Sequence, residues 1–299
     1  MDYLNVHAGG VYVDATLGGG GHSSAILNVL SHAEAGSGKL FCFDADDVAI
    51  TRARERFANV SAEILTLCHT NFSNIADTIR ALGPWMLDGV LFDLGVSSYQ
   101  FDHHERGFSY RHDAPLDMRF TPEGETAADI INMFTEEDLI RIIKEYGEDP
   151  NARKLAQAIV RRRALAPYQT TFDLRDTIVQ HVPTAFQAKT LSRVFQALRI
   201  AVNDEMGRLE TALRSVIPLM AVGGRIVVMS YHSLEDRIVK DVFKEYGSGR
   251  TGEHMQRSER MPRRLNVLTK KPVMASAEEV AANPRARSAR LRAAEVVSE

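Results

Sequence analysis

Four consecutive glycines, Gly18 to Gly21, constrain the fold of this 299-residue chain more than any other feature. They follow a short apolar run, Val11 to Val13, and Asp14, and they precede a helix-like run from Ser23 to Leu27. Glycine allows a positive φ and lets a ligand approach the backbone with no Cβ in the way. Because α/β folds hold nucleotides at a glycine turn between a strand and a helix, the chain is predicted to begin with a nucleotide-binding βα unit.

Two acidic residues narrow the identity of the predicted ligand. Asp44 closes a second apolar run and follows the glycines at about the 20-residue spacing expected of a ribose-binding carboxylate. Asp14 lies just ahead of the glycines, where an acid is typical of ligands that carry an amino-acid ammonium group. The two acids favour S-adenosylmethionine over NAD. The glycines do not fit G-x-G-x-x-G cleanly, so an ordinary glycine-rich βα turn stays open as an alternative.

Composition excludes several classes of protein. Hydrophobic residues make up 44% of the chain and charged residues 25%, as in globular proteins. The sequence has no apolar run near the roughly 20 residues of a membrane helix and no secretory signal, which predicts a cytoplasmic protein with no membrane partner. Cys42 and Cys68 lie in apolar runs without C-x-x-C spacing, so we expect buried thiols, with neither a disulfide nor a metal site.

Charge is distributed unevenly along the chain. Residues 257–299 carry ten Lys and Arg against five Asp and Glu, whereas the whole chain has a net charge of −3. Arg285, Arg287 and Arg290 are spaced by two or three residues and suit contacts with phosphates. Strand alternation would place Arg292 on the same face as Arg290. A solvated basic surface, or an exposed face of the sheet, is the alternative interpretation.

The first half of the chain alternates strands with helices, which is typical of a parallel sheet with crossover helices. Strands are predicted at 11–14, 39–44, 62–67 and 88–94, and helices at 22–31, 46–57 and 73–82. The fourth strand is almost continuously apolar, as expected of a central strand buried on both faces.

The pattern then changes. Residues 107–198 show no convincing strand, and helices are predicted at 135–146, 151–163 and 173–182. The sheet pattern returns with a long helix near 190–216, a strand at 223–230, a helix at 234–246, and strands at 266–271 and 288–297. A late strand pair is typical of methyltransferase sheets. We therefore predict a split α/β domain, residues 1–106 and 199–299, interrupted by a helical insertion, residues 107–198, that recognises the substrate.

Asp93 ends the fourth predicted strand and is the strongest candidate for chemistry. Ligands of open α/β sheets sit beyond the carboxyl ends of the strands, so Asp93 is expected beside the glycine turn and Asp44. A carboxylate there can accept a hydrogen bond from an amine and orient its lone pair toward an electrophilic methyl group, a displacement that depends mainly on alignment. A helix cap or a loop turn is the structural alternative.

Weaker candidates flank this position. His103 and His104 are adjacent, so their side chains diverge and a solvated loop is favoured over a metal site. Phe108 is a candidate for stacking on a flipped-out base, with burial at a domain seam as the alternative. His232 follows the fifth strand and is a candidate for RNA contact, although the segment from Ser233 to Asp236 also suits a helix cap.

Together these segments resemble the RsmH (MraW) family of small-subunit ribosomal RNA methyltransferases. The matching blocks begin at Asp14 (Asp-Ala-Thr-Leu-Gly-Gly-Gly-Gly-His-Ser), at Asp93 (Asp-Leu-Gly-Val-Ser-Ser), at Phe195 (Phe-Gln-Ala-Leu-Arg-Ile-Ala-Val-Asn-Asp-Glu) and at His232 (His-Ser-Leu-Glu-Asp-Arg). Shorter matches occur at 106–109, 115–119 and 283–288. The resemblance spans nearly the whole chain from residue 10.

The resemblance implies a Rossmann-like class I methyltransferase sheet interrupted by an all-helical insertion domain, and a substrate cytidine whose N4 amine is methylated. The implied S-adenosylmethionine site consists of Gly20, Gly21, His22, Asp44, Phe72, Asp93 and Gln100. The implied partner is the decoding region of 16S rRNA within the assembled 30S subunit, and Arg161, Arg162 and Arg163 of the insertion would help hold the RNA. The family carries a His-x-Pro-Val-type stretch ahead of the first strand, where this chain has Met1 to Gly10, and the completeness of one crevice wall depends on that stretch.

The sequence therefore predicts an S-adenosylmethionine-dependent rRNA cytosine-N4 methyltransferase in which Asp93 positions the amine. An amino-group methyltransferase acting on DNA or protein is one alternative. A non-catalytic RNA-binding assembly factor that keeps the cofactor pocket is another, although retained acids at 14, 44 and 93 argue against it. A nicotinamide oxidoreductase is disfavoured by the late strand pair.

Overall fold

The structure is a computed structural model that describes residues 1–31, 38–95, 104–248 and 263–298. The chain divides into two compact units, Met1–Gly95 with Met206–Glu299, and Val96–Glu205. Each unit has its own hydrophobic core, and the two are described separately.

The first unit is built on a sheet with the strand order β3-β2-β1-β4-β5-β8-β6, in which β7 also pairs with β8. Strands β1 to β5 are parallel, and β8 is antiparallel to β5, β6 and β7. The sequence-based prediction of a class I methyltransferase sheet with late additional strands is therefore confirmed. The strands are β1 (Val11–Asp14), β2 (Lys39–Asp44), β3 (Leu65–His69), β4 (Leu87–Asp93), β5 (Met220–Ser230), β6 (Leu265–Val267), β7 (Val273–Met274) and β8 (Arg290–Val296).

Helices cover both faces of the sheet and build the second unit. They are α1 (Gly21–Leu30), α2 (Asp47–Arg56), α3 (Ile75–Leu82), α4 (Ala127–Met133), α5 (Glu136–Glu145), α6 (Ala152–Arg163), α7 (Thr171–His181), α8 (Thr184–Asn203), α9 (Glu205–Val216), α10 (Ser233–Ser248) and α11 (Ala277–Ala282). Short 3-10 turns occur at Phe72–Asn74, His104–Arg106, Ile217–Leu219 and Pro284–Ser288.

The alternation of side chains along the central strands explains why the sheet is buried on both faces. In β4, Phe92 joins a core on one face that also contains Val13 and Phe41. Its neighbour Leu91 joins a second core on the other face, together with Tyr12. Parallel strands enclosed in this way are apolar at nearly every position, which is the pattern that the sequence shows.

The second unit is helical, and its helices begin at capping residues. Thr126 caps α4 in a reciprocal capping box with Asp129. The side chain of Thr135 caps α5 by accepting a hydrogen bond from the N–H of Asp138, at the position predicted from the sequence. Helix α4 was not predicted, because seven residues are too few to show a helical periodicity.

The predicted helix at 190–216 is wrong as a single element. Asp204 adopts a left-handed backbone with φ 46° and separates α8 from α9. The boundaries of the units, after Gly95 and after Glu205, differ from the predicted 106 and 198. Helix α8 continues to Asn203, and Ala201 and Val202, beyond the predicted boundary at 198, pack against the core of the second unit. Likewise the carbonyl of Arg106 accepts a hydrogen bond from Met118 inside that unit.

Two further expectations concern single features. Cys42 and Cys68 are buried free thiols, as predicted, and burial raises the pKa of Cys68 to about 11. Over the described ranges, no helix combines the length and apolar character that crossing a membrane requires.

Gly107 tests how much close backbone packing contributes to the stability of the second unit. Its φ is +70°, and a Cβ at this position would overlap the carbonyl oxygen of Pro115. We expect Gly107→Ala to lower the free energy of unfolding by about 1–2 kcal/mol for the left-handed backbone, plus about 1–3 kcal/mol for the overlap. Gly124→Ala is the matched control, since Gly124 has φ +92° but open space around it. Urea denaturation of both variants measures the difference, and equal losses would show that the overlap is relieved at no cost.

Candidate functional site

Several polar residues of the first unit lie at one edge of the sheet, where the parallel strands end. Asp14 ends β1, Asp44 ends β2 and Asp93 ends β4. Tyr231 follows the last residue of β5 directly. Because carboxyl ends of neighbouring parallel strands share an edge, the sequence-predicted acids are brought together in one place.

The glycine turn is open on the side away from the protein. Gly18 and Gly20 have φ of 49° and 74°. A Cβ on Gly20 would meet Phe57, whereas a Cβ on Gly19 or Gly21 would meet nothing within 4 Å. Helix α1 begins at Gly21. The turn therefore presents accessible backbone at the positive end of a helix, which suits a carboxylate or another anionic group.

Asp44 is placed to accept further hydrogen bonds. Its Oδ2 accepts from the N–H of Gly18 at 2.9 Å, and its Oδ1 accepts from the N–H of Asp46 at 2.9 Å. Burial raises the pKa of Asp44 to about 6, and the two backbone donors oppose that rise. A carboxylate oxygen has two lone pairs, so each oxygen keeps capacity for a ribose hydroxyl.

Asp14 has a different role from the one expected. It is fully buried, with 0% exposure, and its Oδ2 accepts from Ser23 Oγ at 2.6 Å while Oδ1 accepts from the N–H of Thr16. Burial raises its pKa. A residue with no accessible surface is not presented to a ligand ammonium group. Asp14 instead ties the start of the glycine turn to α1.

Asp93 is held by three neighbours within the first unit. Tyr231 donates its hydroxyl to Oδ1 at 2.8 Å, and Nε2 of His22 lies 3.3 Å from Oδ2. The N–H of Asp93 donates to Oγ1 of Thr16 at 2.7 Å. Burial raises the pKa of Tyr231, with the charge of Asp93 acting in the same direction, so the phenol remains a donor. The carboxylate is thereby fixed in direction and retains acceptor capacity.

The other predicted cofactor residues differ in their surroundings. Phe72 is partly buried just beyond β3, and its ring meets Phe92 edge-on with centroids 6.0 Å apart. Gln100 lies outside the described residues, as does His103.

Phe108 is a core residue of the second unit and not a platform for a base. It is 7% exposed and stacks on Phe120 with ring centroids 5.5 Å apart. Because its ring is enclosed by core side chains, it offers no free face to a nucleobase, and the expectation of base stacking is corrected here.

His232 lies in the turn before α10 and is mostly buried, with 11% of its side chain exposed. Its Nε2 is 3.2 Å from Oε1 of Glu235 but does not form a well-aligned hydrogen bond. Glu235 accepts from the N–H groups of Tyr231 and His232 at 2.8 and 3.3 Å, so it closes the start of the helix. Contact between His232 and RNA stays a prediction.

The C-terminal arginines divide into two groups. Arg285 and Arg287 are exposed in the turn before β8, and Arg290 is half-buried at its first residue. Arg292 is 6% exposed and donates from Nε and a terminal nitrogen to Asp236 at 2.6 and 3.0 Å. The expectation that Arg292 joins Arg290 in binding phosphate is therefore wrong, because its guanidinium is occupied in linking β8 to α10.

A similar division occurs in the predicted RNA-binding run of the insertion. Arg162 donates to Asp173 at 2.8 Å, and its guanidinium carbon lies 4.7 Å from the centre of the Tyr168 ring. Arg163 donates to the carbonyl of Ile131 at 2.6 Å. Arg161 is exposed. Two of the three arginines therefore stabilise the unit itself.

Sequence reasoning missed Tyr231, Thr16 and Arg56 as site residues. Arg56 donates to the carbonyl of Gly19 at 2.7 Å and so braces the glycine turn from α2. Tyr231 could have been found, since it directly follows the strand predicted at 223–230. Arg56 could not, because nothing in the sequence shows which exposed helix residue faces the turn.

These residues fit S-adenosylmethionine. The open glycine turn suits the carboxylate of its amino-acid part, and Asp44 suits the two hydroxyls of its ribose. The empty space over Gly19 and Gly21 leaves room for a ligand against the backbone.

The family of the chain follows from its similarity to known proteins. A family model described as the MraW methylase family matches residues 1–297. The chain is 46% identical to Ribosomal RNA small subunit methyltransferase H of Geotalea uraniireducens (strain Rf4), over 99% of this chain and 96% of that protein. It is 47% identical to the protein of that name from Geobacter sulfurreducens (strain ATCC 51573 / DSM 12127 / PCA), over 99% and 95%. The resemblance found in the sequence, and S-adenosylmethionine as cofactor, are thereby confirmed: the chain belongs to the MraW methylase family.

Proposed function

We propose that this methyltransferase transfers a methyl group from S-adenosylmethionine to the N4 amine of a cytidine in the decoding region of 16S rRNA. The proposed substrate is the assembled 30S subunit, and the proposed compartment is the cytoplasm. Support for an rRNA substrate comes from relatives at 46% and 47% identity that are named small-subunit rRNA methyltransferases.

The observation that carries the choice of an amine is the setting of Asp93. A carboxylate is an acceptor only, so it attracts an amino group and repels a carbonyl oxygen. Its hydrogen bond with Tyr231 and its approach to His22 fix its direction. Cytosine presents an amine at the position where uracil presents a carbonyl, so an oriented Asp93 favours cytosine.

Alignment is the main catalytic contribution that we assign to the chain. When bound, S-adenosylmethionine would supply a methyl group on its sulfonium sulfur, and the sulfur would keep the electrons of the broken C–S bond as the amine nitrogen bonds to the methyl carbon. Asp93 accepts an N–H of the amine and aims the nitrogen lone pair along the line of displacement. Asp44, through the ribose, and the backbone of the glycine turn would hold S-adenosylmethionine in place.

The alternatives from the sequence are distinguished by one assay. Radiolabelled methyl transfer would be measured to unmodified 30S subunits, naked 16S rRNA, DNA and protein, with nucleoside mass spectrometry of the product. N4-methylcytidine from subunits supports the proposal. Transfer to DNA or protein supports another amino-group methyltransferase, and cofactor binding without transfer supports an assembly factor.

Asp93→Ala tests the position of the amine. Because the substitution removes the acceptor, we expect the rate at saturating cofactor to fall about 100-fold while the fold is retained. Asp88→Asn is the matched control, since Asp88 is the second residue of the same strand and accepts from the N–H of Val11 at 2.7 Å near the opposite end of that strand. The readouts are N4-methylcytidine formed per minute and the thermal midpoint. A rate equal to wild type would contradict the role of Asp93.

The raised pKa of Asp44 predicts how cofactor affinity depends on pH. Ribose binding needs the ionised carboxylate, which is lost as the pH falls through about 6. We therefore expect the Kd of S-adenosylmethionine to be constant above pH 7 and to rise by nearly tenfold per pH unit well below 6. Asp44→Asn should weaken cofactor binding about 10- to 100-fold at pH 7.5 and should remove most of the dependence of the Kd on pH. Asp47→Asn, at an exposed position, is the control and should change neither the Kd nor its dependence on pH. Calorimetry checks this, and an Asp44→Asn curve with the wild-type slope would refute it.

Arg287 tests the basic surface. It is exposed beside β8, so removing it should weaken RNA binding and lower the slope of log K against log salt by about 1. The control is Arg80→Ala, an exposed arginine of α3 that pairs with Asp77 at 3.2 Å. Filter binding of 30S subunits at several salt concentrations measures both, and an unchanged slope for Arg287→Ala would remove this residue from the interface.

A further inference from the structure

The three strand-end aspartates lie on one face of the sheet. Side chains alternate along a strand, so a residue two positions beyond a core residue points to the same face as that residue. In each of β1, β2 and β4, the residue two positions before the aspartate belongs to the core that also contains Ile26 of α1; these residues are Tyr12, Cys42 and Leu91. Asp14, Asp44 and Asp93 therefore share the face of the sheet that α1 covers.

Asp14 lies deeper than the other two aspartates and between them. Strand β1 is the strand between β2 and β4, and Asp14 pairs with Cys42 on one side and with Leu91 on the other. Asp44 and Asp93 thus each lie one strand across from Asp14 and two residues nearer the edge. The spacing of strands and residues in a sheet makes each separation roughly 8 Å between Cα atoms.

The hydrogen bonds of Asp14 are those of a buried carboxylate ion. Its Oδ2 accepts from Ser23 Oγ at 2.6 Å, a distance typical of a hydroxyl that donates to a charged oxygen, and its Oδ1 accepts from the N–H of Thr16 at 3.2 Å. Since the hydroxyl of Ser23 has one hydrogen, the thiol of Cys42 donates to Ser23 at 3.2 Å. Asp14 has no accessible surface, so salt screens its charge much less than that of an exposed aspartate.

Two basic side chains partly oppose this negative charge. His22 acts on Asp14 through its charge, and its Nε2 lies 3.3 Å from Asp93. Arg56 reaches the glycine turn from α2 and donates to the carbonyl of Gly19. Because His22 loses its charge as the pH rises, the effect of Asp14 is best measured at pH 8, where burial and its raised pKa are opposed by the two hydrogen bonds.

In the proposed function, Asp44 holds the ribose of S-adenosylmethionine and Asp93 holds the amine. The sulfur joins the ribose to the methyl group that the amine receives, so it belongs between these two aspartates, at the end of β1 beyond Asp14. We infer that the buried charge of Asp14 makes the site favour the positively charged sulfonium of S-adenosylmethionine over the neutral thioether of S-adenosylhomocysteine, without contact with either. The inference rests on the proposed function and adds a determinant of cofactor specificity.

This role differs from that of a residue that binds the ligand directly. No bond to Asp14 forms or breaks, and the effect is the Coulomb attraction between two charges in the protein. At a separation of roughly 8 Å, such an attraction changes affinity by on the order of tenfold. Methyl transfer removes the positive charge of the sulfur, so the attraction ends at that step and release of the product cofactor is favoured.

The first arm of the test measures the Kd of S-adenosylmethionine and of S-adenosylhomocysteine by calorimetry at pH 8. In Asp14→Asn, we expect the Kd of S-adenosylmethionine to rise about tenfold more than that of S-adenosylhomocysteine. The two ligands share every group except the methyl group and its charge. Damage to the glycine turn alone therefore weakens both by the same factor, and equal weakening would overturn the inference.

Two variants serve as controls for the ratio of the two Kd values. Asp88→Asn removes the same charge near the opposite end of β4, where Asp88 accepts from the N–H of Val11. Cys42→Ala disturbs the buried cluster of Ser23 and Asp14 without changing a charge. Neither should alter the ratio. A Cys42→Ala variant that changes the ratio as much as Asp14→Asn would show that packing, and not charge, is responsible.

The second arm uses the wild-type protein alone, so it remains decisive if Asp14→Asn does not fold. Sinefungin carries an ammonium group on the carbon that replaces the sulfur, and it is a second positively charged probe. We expect both charged ligands to bind more tightly than S-adenosylhomocysteine at low and at high salt, because a buried charge is weakly screened. No preference, or a preference that disappears at high salt, would overturn the inference.

The proposed function is tested separately, because none of these binding measurements contains RNA. Nucleoside analysis of the methylated product reports on that function. A product other than N4-methylcytidine overturns the proposed function, whereas the ratio of the two Kd values still reports on Asp14.

Discussion

Hydrogen-bonded register between three parallel strands is the constraint on which the site depends. In β1 and β4, Asp14 pairs with Leu91, and in β4 and β5, Asp93 pairs with Met229. The three strands therefore end at nearly the same height along the sheet. Thr16, Asp93 and Tyr231 contact one another at that edge. A shift of one residue in β4 would turn Asp93 into the sheet face and Phe92 toward the crevice, because side chains alternate along a strand.

The sheet holds this register because apolar side chains fill both of its faces. Phe92 and Leu91 are adjacent in sequence but belong to different cores, so the alternation of β4 is fixed from both sides. The hydrogen bonds between polar residues at the edge orient their side chains and contribute little to the stability of the sheet. Of the three strand-end aspartates Asp14, Asp44 and Asp93, only Asp14 is fully buried, and its oxygens accept hydrogen bonds from Ser23 and from the backbone of Thr16. The core thus places the strand ends, and local hydrogen bonds orient the side chains.

Sequence patterns predicted the strands and helices that have a regular periodicity of apolar residues. They missed the features that depend on a contact between individual side chains or on the backbone conformation of one residue. The positions of β1 and β2 matched because apolar runs bounded by glycine or acid define a buried strand. The break at Asp204 was missed, since a left-handed residue between two helical stretches leaves no mark on periodicity. Arg292 was placed on the surface because charge alone does not show that a partner such as Asp236 lies beneath it. Tyr231 was overlooked for a related reason: its hydroxyl matters only through its neighbour on another strand.

Three aspartates at adjoining strand ends acquire different chemistry from their surroundings. Asp14 is enclosed and holds the turn. Asp44 is half-buried and keeps acceptor capacity, and its pKa of about 6 leaves it ionised at neutral pH. Asp93 shares its oxygens with a phenol and an imidazole. Neighbouring carboxylates whose environments differ in this way can serve different steps of one reaction. In the proposed enzyme the protonation of Asp44 governs cofactor binding, whereas the direction in which Tyr231 and Thr16 hold Asp93 governs the alignment of the amine.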